Sequence, residues 1–150
     1  MVKELTKEEI KKEYPVLYKI IFDNDQSVYV FVYGTLKRGE ANHGVMESAN
    51  GEFMSESKLA GYYMVNTPWY PFAAKSDNDD DYIEGELYKV PADKLHILDT
   101  LEGYPQLYDR DTVDVQDLDV FIYVNRNKTE MKAYEKKYGK TTNWTGGSHA

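Results

Sequence analysis

The chain has 150 residues, 41% of them hydrophobic, which suits one domain built on a single buried core. Its 18 basic and 26 acidic side chains leave a formal net charge of -8 with no Lys/Arg cluster, which argues against nucleic acid or an anionic membrane as partner. There is no cysteine, so disulfides and thiolate nucleophiles are excluded, and no stretch approaches the ~18 consecutive apolar residues of a membrane span.

At the N-terminus, residues 1–13 are charged and lack the apolar run of a signal peptide, so a cytoplasmic location is expected. Thr6 and Glu9 have the spacing of a capping box and predict a short helix from Lys7 toward Pro15, within an N-terminal extension over 1–27. Residues 28–33, the run VYVFVY, are almost all β-branched or aromatic and stop at Gly34, as a centrally buried strand does. A turn over 34–39 follows, and Asn42 is placed to cap a short helix through Met46 to Ser48. Strand-like segments lie within 51–66 and at 71–74, separated by Thr67, Pro68, Trp69 and Tyr70.

After an acidic loop over 76–81, residues 82–90 read as a strand that ends at Pro91. Leu95, Leu98 and Leu101 then give a helix over 92–101 one apolar stripe, and Gly103 is placed to end it. Strands are expected at 108–115 and 118–124, and a surface helix at 128–139. The domain proper is expected over 28–140, with a flexible Gly- and Ser-containing tail over 141–150. Many strands with few helices predict an α+β fold whose mixed sheet is curled, or closed into a small barrel, and flanked by short helices.

Two segments offer chemistry. In Tyr33-Gly34-Thr35-Leu36-Lys37-Arg38-Gly39 a hydrophobic strand breaks into a loop that exposes backbone N–H groups, which can bind an anion or stabilise charge on a carbonyl oxygen; an ordinary strand-end turn has the same look. It is no phosphate loop, since the Walker and G-x-G-x-x-G spacings are absent. In Leu98-Asp99-Thr100-Leu101-Glu102 an apolar helix ends on a carboxylate, where the helix dipole and apolar neighbours oppose ionisation and improve Glu102 as a base.

Tyr108 offers a hydroxyl to a ligand, and Arg110 a partner for an acid; a core tyrosine and a surface ion pair are the commoner fates. Glu86 shares a strand face with Glu84 and is the rival to Glu102 if that face lines a cavity. The run Asp77-Asn78-Asp79-Asp80-Asp81 lacks the glycine and the bidentate glutamate of a calcium loop, having Tyr82 and Tyr88 there instead. His43, His96 and His149 have no paired metal-ligand spacing, so no metal site is expected.

Taken in order, Val30-Phe31-Val32-Tyr33-Gly34-Thr35-Leu36-Lys37-Arg38-Gly39, Asn42-His43, Glu84-Gly85-Glu86-Leu87-Tyr88, Leu98-Asp99-Thr100-Leu101-Glu102 and Pro105-Gln106-Leu107-Tyr108-Asp109-Arg110 resemble the gamma-glutamylcyclotransferase-like family, most closely its gamma-glutamylamine cyclotransferase branch. The resemblance covers residues 28–124. It implies a compact curled sheet with a pocket between the loop and a catalytic glutamate that matches Glu102, and Tyr33, Gly34, Thr35, Leu36 and Tyr108 as substrate-binding residues.

The reaction so implied is cyclisation of a gamma-glutamyl amide or peptide to 5-oxoproline with release of an amine, without metal or cofactor. A catalytically inactive module that holds a small molecule or a protein partner in the same pocket is the alternative. Tyr62, Trp69, Tyr70 and Tyr82 are the candidates for the leaving-group side, although no family pattern transfers to them.

Overall fold

The computed structural model describes residues 6–15 and 27–144. Most of the N-terminal extension therefore lies outside the described residues. Within it, helix α1 (Lys7–Glu13) starts as its sequence predicts, with Thr6 Oγ1 accepting from the Glu9 N–H at 3.1 Å.

Strand β1 (Ser27–Val32) is the centre of a five-stranded sheet. The other strands are β2 (Glu52–Ala60), β5 (Tyr82–Pro91), β6 (Asp109–Val115) and β7 (Leu118–Val124), in the order β2-β5-β1-β7-β6. The β1–β7 pair is parallel and the β1–β5, β2–β5 and β6–β7 pairs are antiparallel, so the sheet is mixed.

The unbroken hydrophobicity of β1 follows from burial on both faces. Val30 and Val32 point to one cluster with Leu98, Tyr88 and Val90, while Phe31 and Tyr33 point to another with Ile83, Leu87 and Ile122. On the first side lie helices α2 (His43–Ser48), α3 (Leu95–Glu102, entered through a short 3-10 turn at Ala92–Lys94) and α4 (Lys128–Tyr138), which contribute Met46, Leu98 and Met131. The helical stripe behaves as expected: Leu98 is fully buried, and Leu95 and Leu101 pack partly buried beside it.

The expected strand region over 51–66 is two strands, because Gly61 turns the chain with φ +80° between β2 and β3 (Tyr62–Asn66). β3 pairs with β4 (Pro71–Lys75) in a separate hairpin. The hairpin is tied to the sheet by the Tyr62 hydroxyl donating to Asp111 at 2.9 Å and the Asn125 N–H donating to the Ala73 carbonyl at 2.9 Å.

The sheet curls until its outer strands approach each other. Gln116, in the turn from β6 to β7, donates to the hydroxyls of Ser55 and Ser57 on β2 at 3.4 and 3.1 Å. The fold is thus a mixed α+β arrangement with a curled sheet and few helices.

Two local expectations are corrected. Asn42 sits at the start of α2 but makes no capping bond; its amide donates to Thr35 Oγ1 at 3.1 Å. The tail expected to be flexible from Thr141 is docked at least as far as Trp144. Thr141 bridges to Met64, Thr142 accepts from the Glu84 N–H at 2.7 Å, and Trp144 is 1% exposed, since its indole completes the cluster around Phe31 and Leu87. No helix among the described residues is long and apolar enough to cross a membrane.

Candidate active site

At the C-terminal end of β1 the chain leaves the sheet and turns. The Lys37 N–H closes onto the Gly34 carbonyl at 3.2 Å and the Asn42 N–H onto the Thr35 carbonyl at 2.9 Å, while the N–H groups of Thr35 and Leu36 donate to no group among the described residues. Such a turn, anchored at both ends with unused donors in its middle, is prepared for an anionic oxygen.

The loop is clamped from the sheet side by Glu86, whose Oε1 accepts from the Arg38 N–H at 2.8 Å and from the Tyr88 hydroxyl at 2.9 Å. Its Oε2 takes the Arg38 guanidinium at 3.0 Å. Burial alone would raise the pKa of Glu86, but the bonds from Arg38 and Tyr88 hold it below its ordinary value. Glu86 is therefore an ionised structural anchor, and the structure does not bring it into the cavity that holds Glu102.

That cavity, of about 260 Å³, lies between the loop and the end of α3. Residues 33–36, Asn42, Glu102, Tyr108 and Tyr123 line it, with Trp69, Tyr70 and Leu107. Its inner wall, formed by Val32, Tyr33, Leu36, Tyr108 and Tyr123, is at most 5% exposed, whereas Trp69 and Leu107 are exposed and mark the mouth.

Glu102 is the last residue of α3, and Gly103 follows in the left-handed conformation with φ 62°, its N–H bonding the Thr100 carbonyl. Among the described residues Glu102 is the only charged group lining the cavity, and it makes no hydrogen bond or ion pair. Glu102 as a whole is partly exposed, but protein atoms crowd its carboxyl, and this burial raises its pKa to about 7. Loss of water accounts for the shift, with no neighbouring anion needed.

The tyrosines around the carboxyl are fixed through the backbone. Tyr108 donates to the Pro71 carbonyl at 2.5 Å; Tyr33 donates to the Tyr123 carbonyl at 2.6 Å and accepts from the Ala73 N–H at 3.2 Å. Burial raises both phenol pKa values well above the ordinary one, so these groups stay neutral donors.

Arg110 lies behind the site. Its Nε is 3.5 Å from Asp99, and its guanidinium stacks 4.2 Å from the centre of the Tyr104 ring. Asp99 in turn accepts from the Tyr123 hydroxyl at 2.7 Å, so Arg110 steadies the wall from outside.

Of the four aromatic residues expected near the leaving group, Trp69 and Tyr70 line the cavity. Tyr62 is spent on Asp111 and Tyr82 is exposed under Lys58, so neither contributes. Leu107, Tyr123 and Asn42 also belong to the lining: Tyr123 carries no local signal in the sequence, and Asn42 has the position of a helix cap. Among the described residues no group of three or more His, Asp or Glu side chains could hold a metal, and the acidic run is tied off by Asp81 binding Ser76 and Lys140.

A family model described as gamma-glutamyl cyclotransferase, AIG2-like, matches residues 30–145, and the chain belongs to that family of enzymes. Among curated relatives, a putative gamma-glutamylcyclotransferase of Drosophila melanogaster is 36% identical over 109 residues, covering 65% of this chain and 69% of the fly protein. The gamma-glutamylaminecyclotransferase of Homo sapiens is 38% identical over 96 residues, covering 58% of this chain and 61% of the human one, less than two thirds of its length.

The crystal structure of an AIG2-like protein from Mus musculus superposes with a TM-score of 0.60 at 26% identity, covering 67% of this chain and 78% of the mouse chain. A uropathogenic E. coli-specific protein superposes at 0.61 with 19% identity, over 77% of this chain and 88% of its own, a likeness of fold alone.

Proposed function

We propose that the protein is a gamma-glutamylamine cyclotransferase of the cytoplasm, in which Glu102 moves the protons and the loop at residues 33–36 holds the glutamyl half of the substrate. The observation that carries this reading is the solitary carboxyl of Glu102 in a cavity also lined by Thr35 and Leu36, whose N–H groups donate to no group among the described residues.

The substrate's α-ammonium has a pKa of ~8 and must lose a proton before its nitrogen can attack the γ-carbonyl. For an ordinary glutamate at ~4.3 that transfer is uphill by about 5 kcal/mol; for a carboxyl raised to about 7 it is uphill by only about 1.4 kcal/mol. Burial of Glu102 thus removes most of the mismatch.

The α-nitrogen then bonds to the γ-carbon, closing the five-membered ring, and the bond to the leaving nitrogen breaks. The α-ammonium gives up two protons in all and the departing amine gains two, so 5-oxoproline and an ammonium product balance the substrate without water or redox partner. Glu102 relays the protons, while the loop N–H groups receive the substrate carboxylate or the carbonyl oxygen as it gains charge. Gly34, Tyr33 and Tyr108 shape that half of the pocket, and the amine leaves past Trp69 and Leu107. The resemblance to the gamma-glutamylamine branch makes lysine, from a gamma-glutamyl-ε-lysine isopeptide, the first leaving amine to try.

The test is incubation with gamma-glutamyl-ε-lysine, gamma-glutamyl-alanine and glutathione, following 5-oxoproline by mass spectrometry beside Glu102→Gln. Product from the wild type alone establishes the reaction and the residue together. Tight binding of an amide that is recovered intact supports the inactive binding module instead.

A further inference from the structure

We infer that residues 141–144 are a positioning strap for the substrate-holding loop, acting through Lys37; this rests on the reading that the N–H groups of Thr35 and Leu36 contact substrate. Lys37 directly follows Leu36, and its own N–H closes the turn onto the Gly34 carbonyl. Its side chain runs away from the cavity to the strap, where Nζ donates to the Trp144 carbonyl at 2.6 Å and to Asn143 Oδ1 at 3.1 Å. The ammonium is half-buried there, and a charge so placed keeps its partners, because parting from them inside the protein leaves donors unsatisfied.

The strap is itself seated on β3 and β5. The Thr141 N–H donates to the Met64 carbonyl of β3 at 2.8 Å, the Thr142 carbonyl accepts from Glu84 of β5 at 2.7 Å, and the Asn143 carbonyl accepts from the Asn66 amide at 3.1 Å. Trp144 closes the arrangement, buried in the cluster that contains Phe31 and Tyr33. The loop is therefore held at successive residues from two directions: Arg38 is fixed to the sheet through Glu86, and Lys37 to the strap. The bonds at Gly34 and Thr35, with the contact of His43 Nδ1 to the Leu36 carbonyl at 2.9 Å, set the shape of the turn, and the anchors at Lys37 and Arg38 set its direction relative to the strap and the sheet.

Lys37→Met keeps the stem and removes the donors, while the strap retains its backbone bonds and its tryptophan, so the fold survives. With the amide found in the screen above as substrate, positioning predicts a fall of about tenfold in kcat/KM at a melting temperature close to that of the wild type. If the N–H groups hold the carboxylate, KM and the inhibition constant of 5-oxoproline rise together at constant kcat; if they hold the carbonyl oxygen, kcat falls. Lys37→Arg, which can still reach both acceptors, recovers part of the loss, and Asn143→Ala loses less than Lys37→Met.

A melting temperature that drops while kcat and KM stay at wild-type values shows a merely structural strap and overturns the inference, although the cyclotransferase reading stands. Wild-type protein that cyclises no amide overturns the reading beneath it, and the inference with it.

Discussion

Gly34 faces the ring of Pro71 so closely that a Cβ built on it would stand 2.8 Å from Pro71 Cγ. The contact joins the two walls of the cavity, since the carbonyl of Pro71 is the acceptor that fixes the Tyr108 hydroxyl. Gly34→Ala must push β4 away from the loop and loosen Tyr108 with it. We expect it to cost about 1–3 kcal/mol in stability and to lower kcat/KM at least tenfold. Chemical denaturation and steady-state kinetics on one preparation measure both.

Glu102 makes the protein's stability depend on pH in an unusual direction. Its folded pKa of about 7 lies above the ~4.3 of an unfolded chain, so between these values the native state binds more protons than the unfolded one. Its contribution is fully present below pH ~4.3 and is lost as pH rises through about 7. The loss approaches about 4 kcal/mol. Glu102→Gln carries no charge, so its stability relative to wild type should grow over that window and then level off. Urea unfolding of both proteins from pH 4.5 to 8.5 measures the difference, and a flat difference would mean that the carboxyl is solvated.

The same group sets an acid limb for turnover. Only the ionised carboxylate takes a proton, so kcat/KM should climb with pH and bend near 7, well above the bend expected of a solvated glutamate. A rate profile from pH 5 to 9 locates the bend; one near 4.5 points to a different base.

Glu86 and Glu102 should part company under the same substitution. Glu86→Gln weakens the anchor for Arg38 and leaves an amide among donors, so we expect a loss of about 1–3 kcal/mol in stability and reduced but measurable turnover. Glu102→Gln should keep its fold and lose turnover below detection. Abolished activity in a stable Glu86→Gln protein would return Glu86 to contention as the proton carrier.

The local decisions are legible in the residues themselves. The VYVFVY run has to be a strand buried on both faces, the Leu95, Leu98, Leu101 stripe has to lie against a core, and Gly103 has to end its helix in the left-handed region; each follows from a few neighbouring residues and backbone sterics. The order of short motifs also made the family legible, because spacing survives where individual residues are ambiguous.

Which carboxylate stands alone depends on the folded chain. Glu86 and Glu102 each sit beside apolar neighbours in the chain. Pairing of β1 with β5 brings Arg38 onto Glu86, where Tyr88 joins it from two residues along the strand, whereas no group among the described residues bonds the Glu102 carboxyl, which leaves one ionised and the other poised near neutrality. The docking of residues 141–144 was hidden for the same reason: Lys37 and Trp144 meet across more than a hundred residues, and burial and pairing are properties of the space around a group, which no local pattern encodes.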